Sequence, residues 1–287
     1  EVRRLIELAE LTKAECPRLV PWLQRRPGKA LELAGDWGQL LATVRWIDER
    51  QVPGLYLRQV DVPGVDTKFI GDHKSVLTEL LNLQLDEARV NLEALNFEDR
   101  YGFLRKPDYV RFRTAAPGAP YSELRVRADE FTASPPGVTR VYIVENEITY
   151  LAFPLDSDAI VIFGSGYAVQ GLKPLAWLAA LEVTYWGDLD THGFAILNRL
   201  RSHFPHARSV LMDRSTLLAH QSQWVREPSQ STAVLPLLDP EEQTTYQALL
   251  SGTYGQAIRL EQERISFTAV ERAPQLGVAS AAPARKP

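Results

Sequence analysis

The sequence predicts a mixed α/β protein in which a helical N-terminal region precedes a domain built on a parallel sheet. Three observations predict this. Apolar residues recur at helical spacing over residues 1–50, two short segments near residue 110 alternate between apolar and basic side chains, and strands alternate with helices from Val138 onward. We expect two domains, a number that the length of 287 residues allows.

Helices and a small β-hairpin are the elements predicted for the first region, residues 1–135. The helical spacing covers residues 1–50 and 75–95, and the alternating strands cover residues 109–113 and 124–127. This combination suits a winged-helix DNA-binding module. The basic residues predicted to bind DNA there are Lys68, His73, Lys74, Lys106, Arg111 and Arg113. A solvated basic face explains the same residues equally well.

The second region is predicted to form a parallel sheet, because its strands alternate with helices. The strands are predicted over residues 141–144, 159–163, 181–186 and 208–212, and the helices over residues 174–180 and 193–204. A Pro- and Gly-rich break near residue 135 places the catalytic domain at residues 136–225. We expect a helical extension over residues 226–272, with a solvated helix face at 259–265, and a disordered tail over residues 273–287.

The composition is that of a globular protein in a reducing compartment. A hydrophobic fraction of 45% and a net charge of -4 allow a good core to be buried. Cys16 is the one cysteine, which excludes an intramolecular disulfide and a thiolate metal cluster and fits the cytoplasm. No apolar run is long enough to span a bilayer. The mildly acidic balance neither indicates nor excludes a nucleic-acid partner.

Three acidic residues at the ends of predicted strands form the candidate site. Asp188 and Asp190 follow the apolar run 181–186, and their i, i+2 spacing points both side chains the same way on an extended segment. Glu145 follows the run 141–144. Because the carboxyl ends of neighbouring parallel strands lie side by side, Glu145 can face both aspartates. Hard oxygen ligands favour Mg²⁺ or Mn²⁺, and such ions commonly act on phosphate esters.

Simpler structural roles are open for the same residues. Asp188 can cap the following helix and Asp190 can stabilise its first turn. Glu145 can begin a polar turn. His192 either positions water or a phosphate beside Asp190, or is an ordinary polar residue at the start of a helix.

The motifs around these acids resemble a known family. Glu145 and Asn146 after one strand, with residues 187–190 (Gly-Asp-Leu-Asp) after another, are similar to the Toprim domain of topoisomerases, bacterial primases and several nucleases. The chain from about residue 50 to 267 looks like the JetD family, the nucleases of the Wadjet plasmid-defence systems. The segments that carry this resemblance are residues 62–70, 103–107, 185–193 and 259–263.

The resemblance implies a homodimeric DNA endonuclease related to the A subunit of type IIB topoisomerases. It implies a CAP-like winged-helix domain ahead of Toprim, and SMC-like, kleisin-like and accessory subunits as partners that present plasmid DNA. The family's long amino-terminal arm is expected to be shortened or absent. Topoisomerases of this kind attack DNA with a tyrosine, but their arginine- and tyrosine-rich motif does not occur around Tyr56, Tyr101 or Tyr109. Hydrolysis by water is therefore favoured.

From the residues and the resemblance together we expect metal-dependent hydrolysis of phosphodiester bonds in double-stranded plasmid DNA. Glu145, Asp188 and Asp190 are the predicted catalytic residues and the predicted ligands of Mg²⁺ or Mn²⁺, while Glu145 can instead act as general base. His192 is a further predicted DNA contact. Two alternatives stay open, namely a catalytically silent platform that binds DNA or a motor complex, and a tyrosine transesterase.

Overall fold

The computed structural model describes residues 1–50, 53–164, 169 and 171–273. The chain divides into two compact units, Glu1–Lys106 and Pro107–Pro287. The predicted mixed α/β class is confirmed, because a helical first unit is followed by a second unit with a mostly parallel sheet. In the described part of the chain, no helix is both long and apolar enough to cross a bilayer.

Helices dominate the first unit, as the apolar spacing of its sequence predicts. Its α-helices are α1 (Val2–Glu15), α2 (Val20–Arg25), α3 (Pro27–Glu32), α4 (Trp37–Asp48), α5 (Thr67–Asp72), α6 (Lys74–Gln84) and α7 (Phe97–Tyr101). Its 3-10 helices are Pro17–Leu19, Leu57–Gln59 and Glu87–Arg89. Trp22 and Trp37 stack in the core with ring centroids 5.5 Å apart. The buried Trp37 Nε1 donates to Thr12 Oγ1 at 2.9 Å, so its polar atom is satisfied.

The helix predicted over residues 75–95 is shorter in the structure, where α6 covers only its first half. Leu92 and Leu95 continue the apolar spacing but are 69% and 102% exposed, so no core supports a longer helix. The chain turns back instead, and Arg89 donates to two carbonyl oxygens in the last turn of α4 at 2.7 and 2.6 Å. These bonds satisfy carbonyls that a helix end leaves without partners.

The second unit is built on a six-stranded sheet. The strands of that sheet are β1 (Tyr109–Thr114), β2 (Glu123–Arg127), β3 (Arg140–Val144), β4 (Ala159–Phe163), β5 (Glu182–Trp186) and β6 (Arg208–Ser209). A separate two-stranded ribbon pairs β7 (Val225–Arg226) with β8 (Ile258–Arg259). The α-helices are α8 (Glu147–Ala152), α9 (Thr191–His203), α10 (Arg214–Ala219), α11 (Pro240–Leu250) and α12 (Phe267–Arg272). Its 3-10 helices include Ala176–Ala180, Gln221–Gln223 and Gln262–Arg264.

The strand order of the large sheet is β2-β1-β4-β3-β5-β6. β3 lies between β4 and β5 and is parallel to both, and β5 is parallel to β6. The apolar residues of β3 are buried on both faces, which explains why its sequence is a nearly continuous apolar run. The predicted parallel sheet is confirmed, and its carboxyl ends meet at one edge.

The β1–β2 hairpin belongs to this sheet and to the second unit, although the sequence analysis placed it in residues 1–135 as the wing of a winged helix. β1 pairs antiparallel with β4, with Phe112 opposite Ile162. Val110 and Phe112 are 2% and 3% exposed. An alternating pattern predicts that one face of a strand is buried, but it does not identify the neighbouring strand. The predicted position of the hairpin is corrected accordingly.

The extension over residues 226–272 contains strands as well as helices, which corrects the helical prediction. The segment 259–265, predicted as a solvated helix face, contains the end of β8 and a 3-10 helix. Its Leu260 is fully buried and pairs with Leu189 through backbone hydrogen bonds of 2.9 and 3.2 Å. This tertiary pairing overrides the local charge pattern. Of the predicted tail, Ala273 is buried and the remainder lies outside the described residues.

Gly193 in α9 is expected to tolerate no side chain. A Cβ atom there would lie 2.0 Å from the carbonyl oxygen of Asp188, so α9 would have to move. We expect Gly193→Ala to lower the free energy of unfolding by about 3 kcal/mol. Gly38→Ala in α4 is the matched control, because no atom lies within 4 Å of its Cβ position, and it should be neutral or stabilising by about 0.5 kcal/mol. Urea denaturation compares the two, and equal stabilities would contradict the expectation.

Candidate active site

The three acids singled out in the sequence lie at the same edge of the sheet. β3 and β5 are parallel neighbours, with Val144 opposite Trp186. Glu145 follows β3 and donates its backbone N–H to the Trp186 carbonyl at 3.3 Å, while Asp188 and Asp190 follow β5. All three acids line one cavity of about 280 Å³. The structure brings them together, and their catalytic role stays a prediction.

Asp190 both caps a helix and lines the cavity. Its carboxylate accepts a hydrogen bond from the backbone N–H of Gly193 at 2.7 Å, which makes it the N-cap of α9. Its side chain is nonetheless part of the cavity wall. Asp188 is not the cap, and its Oδ1 instead accepts from the backbone N–H of Gln262 at 2.7 Å. A purely structural role therefore explains Asp190 better than it explains Asp188.

Burial raises the pKa of two of the acids. It raises the pKa of Glu145 to about 7, with further increases from the charges of Asp188 and Asp190, although the Tyr185 hydroxyl donates to Glu145 and acts in the opposite direction. Burial also raises the pKa of Asp190 to about 6, and the charges of Glu227 and Asp188 add to that effect. Burial and mutual repulsion therefore disfavour full ionisation of the clustered acids.

Arg259 neutralises part of this charge. Its Nη2 donates to Asp188 Oδ2, and its Nε lies 3.1 Å from Asp190 Oδ2 without being aligned for a hydrogen bond. The antiparallel pairing of Leu189 with Leu260 brings β8 to the site. The dense charge of residues 259–265 predicts a solvated helix face and gives no indication of this role. Arg259 precedes Leu260, which pairs with Leu189 between the two aspartates. Only the folded structure shows this pairing.

Gln262 connects the ends of the two strands that carry the acids. Its Nε2 donates to the Trp186 carbonyl at 2.6 Å, and its Oε1 accepts from the backbone N–H of Asn146 at 2.9 Å. The residue is 1% exposed. The sequence shows a glutamine inside a charged segment, and nothing in that pattern predicts that its side chain is buried. Gln262 fixes the spacing between the β3 end and the β5 end, and therefore between the acids.

Glu227 is a fourth acid in the cavity, and it was not among the predicted site residues. It is 2% exposed, and its Oε1 accepts from Thr191 Oγ1 at 2.5 Å. His192 Nε2 lies 3.9 Å from the same oxygen. Glu227 follows the two-residue strand β7, and no recognisable motif surrounds it. Its place beside Asp190 results from the ribbon topology alone.

The donor set suits a divalent cation, but one oxygen of Asp188 and one of Asp190 lie against Arg259. Carboxylates are the ligands that Mg²⁺ and Mn²⁺ prefer. Within the described residues, no three His, Cys, Asp or Glu side chains come together closely enough to hold a metal ion. Arg259 contacts both Asp188 and Asp190 and supplies the positive charge that a cation would bring. The residues fit a metal in charge and ligand type, and binding would require both that Arg259 moves away and that the carboxylates come closer together.

The basic residues predicted to bind DNA in the first unit differ in their partners. Lys68 and Lys106 are exposed. Lys74 forms an ion pair of 2.8 Å with a glutamate of α7. His73 is mostly buried and its Nε2 lies 3.2 Å from Asp36. Lys68 and Lys106 are thus the more accessible of these predicted contacts, and a DNA-binding role for all four stays a prediction.

In the second unit the side chains of the predicted DNA contacts already form ion pairs or hydrogen bonds within the protein. Arg111 pairs with Glu123 at 2.5 Å and with Glu147. Arg113 donates to two carbonyl oxygens at the end of α8 at 2.7 and 3.3 Å. His192 is exposed, lines the cavity and has its Nε2 2.8 Å from a backbone carbonyl. A phosphate at Arg111 would have to replace existing ion pairs, whereas His192 already faces the cavity.

The raised pKa of Glu145 predicts how the stability of the metal-free protein depends on pH. A carboxyl group with a higher pKa in the folded than in the unfolded state favours folding most below the unfolded value of 4.5, and this contribution is lost as the pH rises to about 7. Relative to Glu145→Gln, the wild type should therefore lose about 3 kcal/mol of stability across that window. Urea denaturation with a chelator at several pH values measures the difference. Parallel curves for the two proteins would contradict it.

Comparisons with known proteins identify a family. A family model described as Wadjet protein JetD, C-terminal, matches residues 102–274, which is more than half of the chain. A second model, described as an uncharacterized protein conserved in bacteria, N-term, matches residues 1–82. No curated protein matches the chain. The first match covers the sheet and every acid of the cavity.

Proposed function

Since the chain belongs to the family of the Wadjet protein JetD, we propose that it is a metal-dependent DNA endonuclease that cuts plasmid DNA in a defence complex. A role in Wadjet defence follows from the family. The proposal of cleavage is carried by one observation, namely that Glu145, Asp188 and Asp190 follow adjacent parallel strands and line one cavity. Carboxylates in this position are typical of sites that act on phosphate esters with a divalent cation.

Glu145, Asp188 and Asp190 would hold Mg²⁺ or Mn²⁺ through their carboxylate oxygens. When bound, such an ion lowers the pKa of a water molecule and stabilises the charge on the leaving oxygen. Glu145 can instead act as general base if it does not bind the ion. Its Oε1 accepts from the Tyr185 hydroxyl, so Oε2 would be the atom that takes the proton from water.

The fold is consistent with a Toprim domain related to type IIB topoisomerase A subunits. A glutamate after one parallel strand and an Asp-x-Asp pair after its neighbour are the features that support this relation. The helical first unit is the proposed CAP-like DNA-binding module, and Lys68 and Lys106 are its exposed basic contacts. This DNA-binding role follows from the resemblance and the exposed charge together.

We place the protein in a homodimer that works with SMC-like, kleisin-like and accessory subunits in the cytoplasm. A double-strand break requires two sites that attack strands of opposite polarity, and a twofold dimer supplies them. The partner subunits would present plasmid DNA to the two sites. Family membership supports the partners, and the chemistry of a double-strand break supports the dimer.

Incubation of the purified chain with supercoiled plasmid and Mg²⁺ or Mn²⁺ tests the proposal. We expect nicked and linear DNA from the wild type, and neither from the double variant Asp188→Ala/Asp190→Ala. If the chain alone is inactive, the same comparison is made with the partner subunits added. Cutting by the double variant at the wild-type rate would contradict the site.

A DNA-binding platform is the second candidate, and the Arg259 contacts favour it because they neutralise the acids without metal. A platform should bind DNA equally well with a chelator present and with Glu145→Gln, and should cut it under neither condition. A tyrosine transesterase is distinguished by denaturing gels. It leaves protein attached to the DNA ends, whereas hydrolysis leaves free ends.

A further inference from the structure

Arg259 lies in the cavity because the backbone of its neighbours is fixed there. β8 pairs with β7, and Leu260 pairs with Leu189 through hydrogen bonds of 2.9 and 3.2 Å. Two residues further on, the backbone N–H of Gln262 donates to Asp188 at 2.7 Å. The segment 258–263 therefore runs beside residues 188–190. Its backbone hydrogen bonds hold the Arg259 guanidinium next to the acids.

The two contacts of Arg259 with the acids are unequal. Nη2 hydrogen-bonds to Asp188, but Nε approaches Asp190 at 3.1 Å without hydrogen-bonding geometry and has no hydrogen-bond partner among the described residues. The guanidinium therefore does not form the bidentate pair that makes an Arg–carboxylate contact strong. Its side chain is 28% exposed, so it has a path toward solvent.

The charges in the cavity are unbalanced. Glu145, Asp188, Asp190 and Glu227 face it, and among the described residues that line it Arg259 is the one permanent cation, with His192 as a titratable one. The neighbouring Glu261 also approaches Arg259, at 3.9 Å. One guanidinium cannot neutralise this many carboxylates, so the acids keep an affinity for a further or stronger cation.

We propose that Arg259 is an internal counter-ion that competes with the divalent cation for Asp188 and Asp190. This inference rests on the proposed metal site. In the metal-free protein Arg259 stabilises the clustered acids and keeps their oxygens engaged. Metal binding displaces the guanidinium, so part of the metal's binding free energy is spent on breaking its contacts, and the apparent affinity is lowered.

Titration calorimetry of the full chain with Mn²⁺ tests the competition. Arg259→Met removes the charge but keeps an unbranched side chain, and we expect it to bind Mn²⁺ at least about tenfold more tightly than the wild type. Arg259→Lys keeps the positive charge but lacks the planar guanidinium, so its Mn²⁺ affinity should lie between those of the wild type and Arg259→Met. Arg264→Met is the matched control, because Arg264 belongs to the same region but pairs with Glu261 and lies outside the cavity wall, and its Mn²⁺ affinity should not change.

Thermal unfolding gives a second readout that does not depend on activity. Without metal, Arg259→Met should unfold at a lower temperature than the wild type. Saturating Mn²⁺ should raise the midpoint of Arg259→Met by more than it raises that of the wild type. In the wild type, the Nε–Hε resonance of Arg259, identified by its loss in Arg259→Lys, should shift as Mg²⁺ is added. That measurement remains decisive if Arg259→Met does not fold.

The outcomes separate this inference from the proposed function. If the wild type and Arg259→Met bind Mn²⁺ equally, and the Arg259 resonance does not respond to Mg²⁺, the metal site stands and the competition is refuted. If neither protein binds Mn²⁺, the metal site and the competition are both refuted. Both the metal site and the competition are supported if Arg259→Met binds Mn²⁺ more tightly than the wild type and the double variant Arg259→Met/Asp188→Asn does not bind it.

Discussion

Asp190→Asn should reduce metal-dependent DNA cleavage by about a thousandfold while leaving the fold intact. Loss of one carboxylate weakens the stabilisation that a bound ion gives to the transition state, which amounts to several kcal/mol. Asparagine retains a side-chain oxygen that can accept from the Gly193 N–H, so the cap of α9 is kept. The initial rate of plasmid nicking, with thermal unfolding measured in parallel, gives both quantities.

Asp213→Asn is the control for this expectation. Asp213 caps α10 in the same way as Asp190 caps α9, and it accepts from the backbone N–H of Thr216 at 2.8 Å. It does not belong to the wall of the acidic cavity. Its variant should cut DNA at close to the wild-type rate. If both variants lost activity equally, the loss would not be specific to the acidic cavity, and wild-type activity in Asp190→Asn would refute the site.

Gln262→Leu should both destabilise the protein and impair cleavage. Leucine has nearly the same size, but it removes one of the two hydrogen bonds to the Trp186 carbonyl, which keeps the Glu145 N–H, and it takes the acceptor from the half-buried Asn146 N–H. We expect the free energy of unfolding to fall by about 1–3 kcal/mol. Because the bridge sets the spacing of the strand ends, we also expect cleavage to fall by about a hundredfold at temperatures where the variant is folded.

The exposed Gln223 provides the matched substitution. Gln223→Leu changes the same residue type on the surface, and its stability should stay within about 0.5 kcal/mol of the wild type. Urea denaturation and the plasmid assay compare the two variants. A Gln262→Leu protein with wild-type stability would show that the bridge does not hold the strand ends. Full activity in a destabilised variant would limit Gln262 to a structural role.

The placement of the acids was predictable from the sequence for a simple physical reason. Side chains alternate along an extended segment, and neighbouring parallel strands end at one edge of a sheet. An acid after the apolar run 141–144 and two acids after the run 181–186 therefore lie near one another when the two strands are parallel neighbours. The strand order found in the structure satisfies that condition.

The partners of the acids were not predictable in the same way. Arg259 and Gln262 lie more than 70 residues from Asp188 in the sequence and reach the site through a two-residue strand and one bridge to Leu189. Elements this short leave no periodic pattern, and the dense charges of the segment favoured a helix. Glu227 likewise depends on the β7–β8 pairing. The sequence thus predicted the acids but not the cation that neutralises them.

The β1–β2 hairpin shows the same limit at the level of the fold. Its alternation correctly predicted two strands, yet the partner of β1 on its other side is β4, which lies about 50 residues later. Local pattern determines which face of a strand is buried, whereas the choice of neighbour depends on long-range packing. The basic residues of the hairpin therefore moved from a predicted wing to the edge of the central sheet.

The most direct test of the central claim is an anomalous diffraction measurement on crystals of the full chain grown with Mn²⁺. The claim is that Glu145, Asp188 and Asp190 bind a divalent cation. We predict an anomalous peak in contact with these carboxylates, with the Arg259 guanidinium displaced from Asp188 and Asp190. Absence of a peak at the three acids at saturating Mn²⁺, with Arg259 still in contact with both aspartates, would contradict the claim.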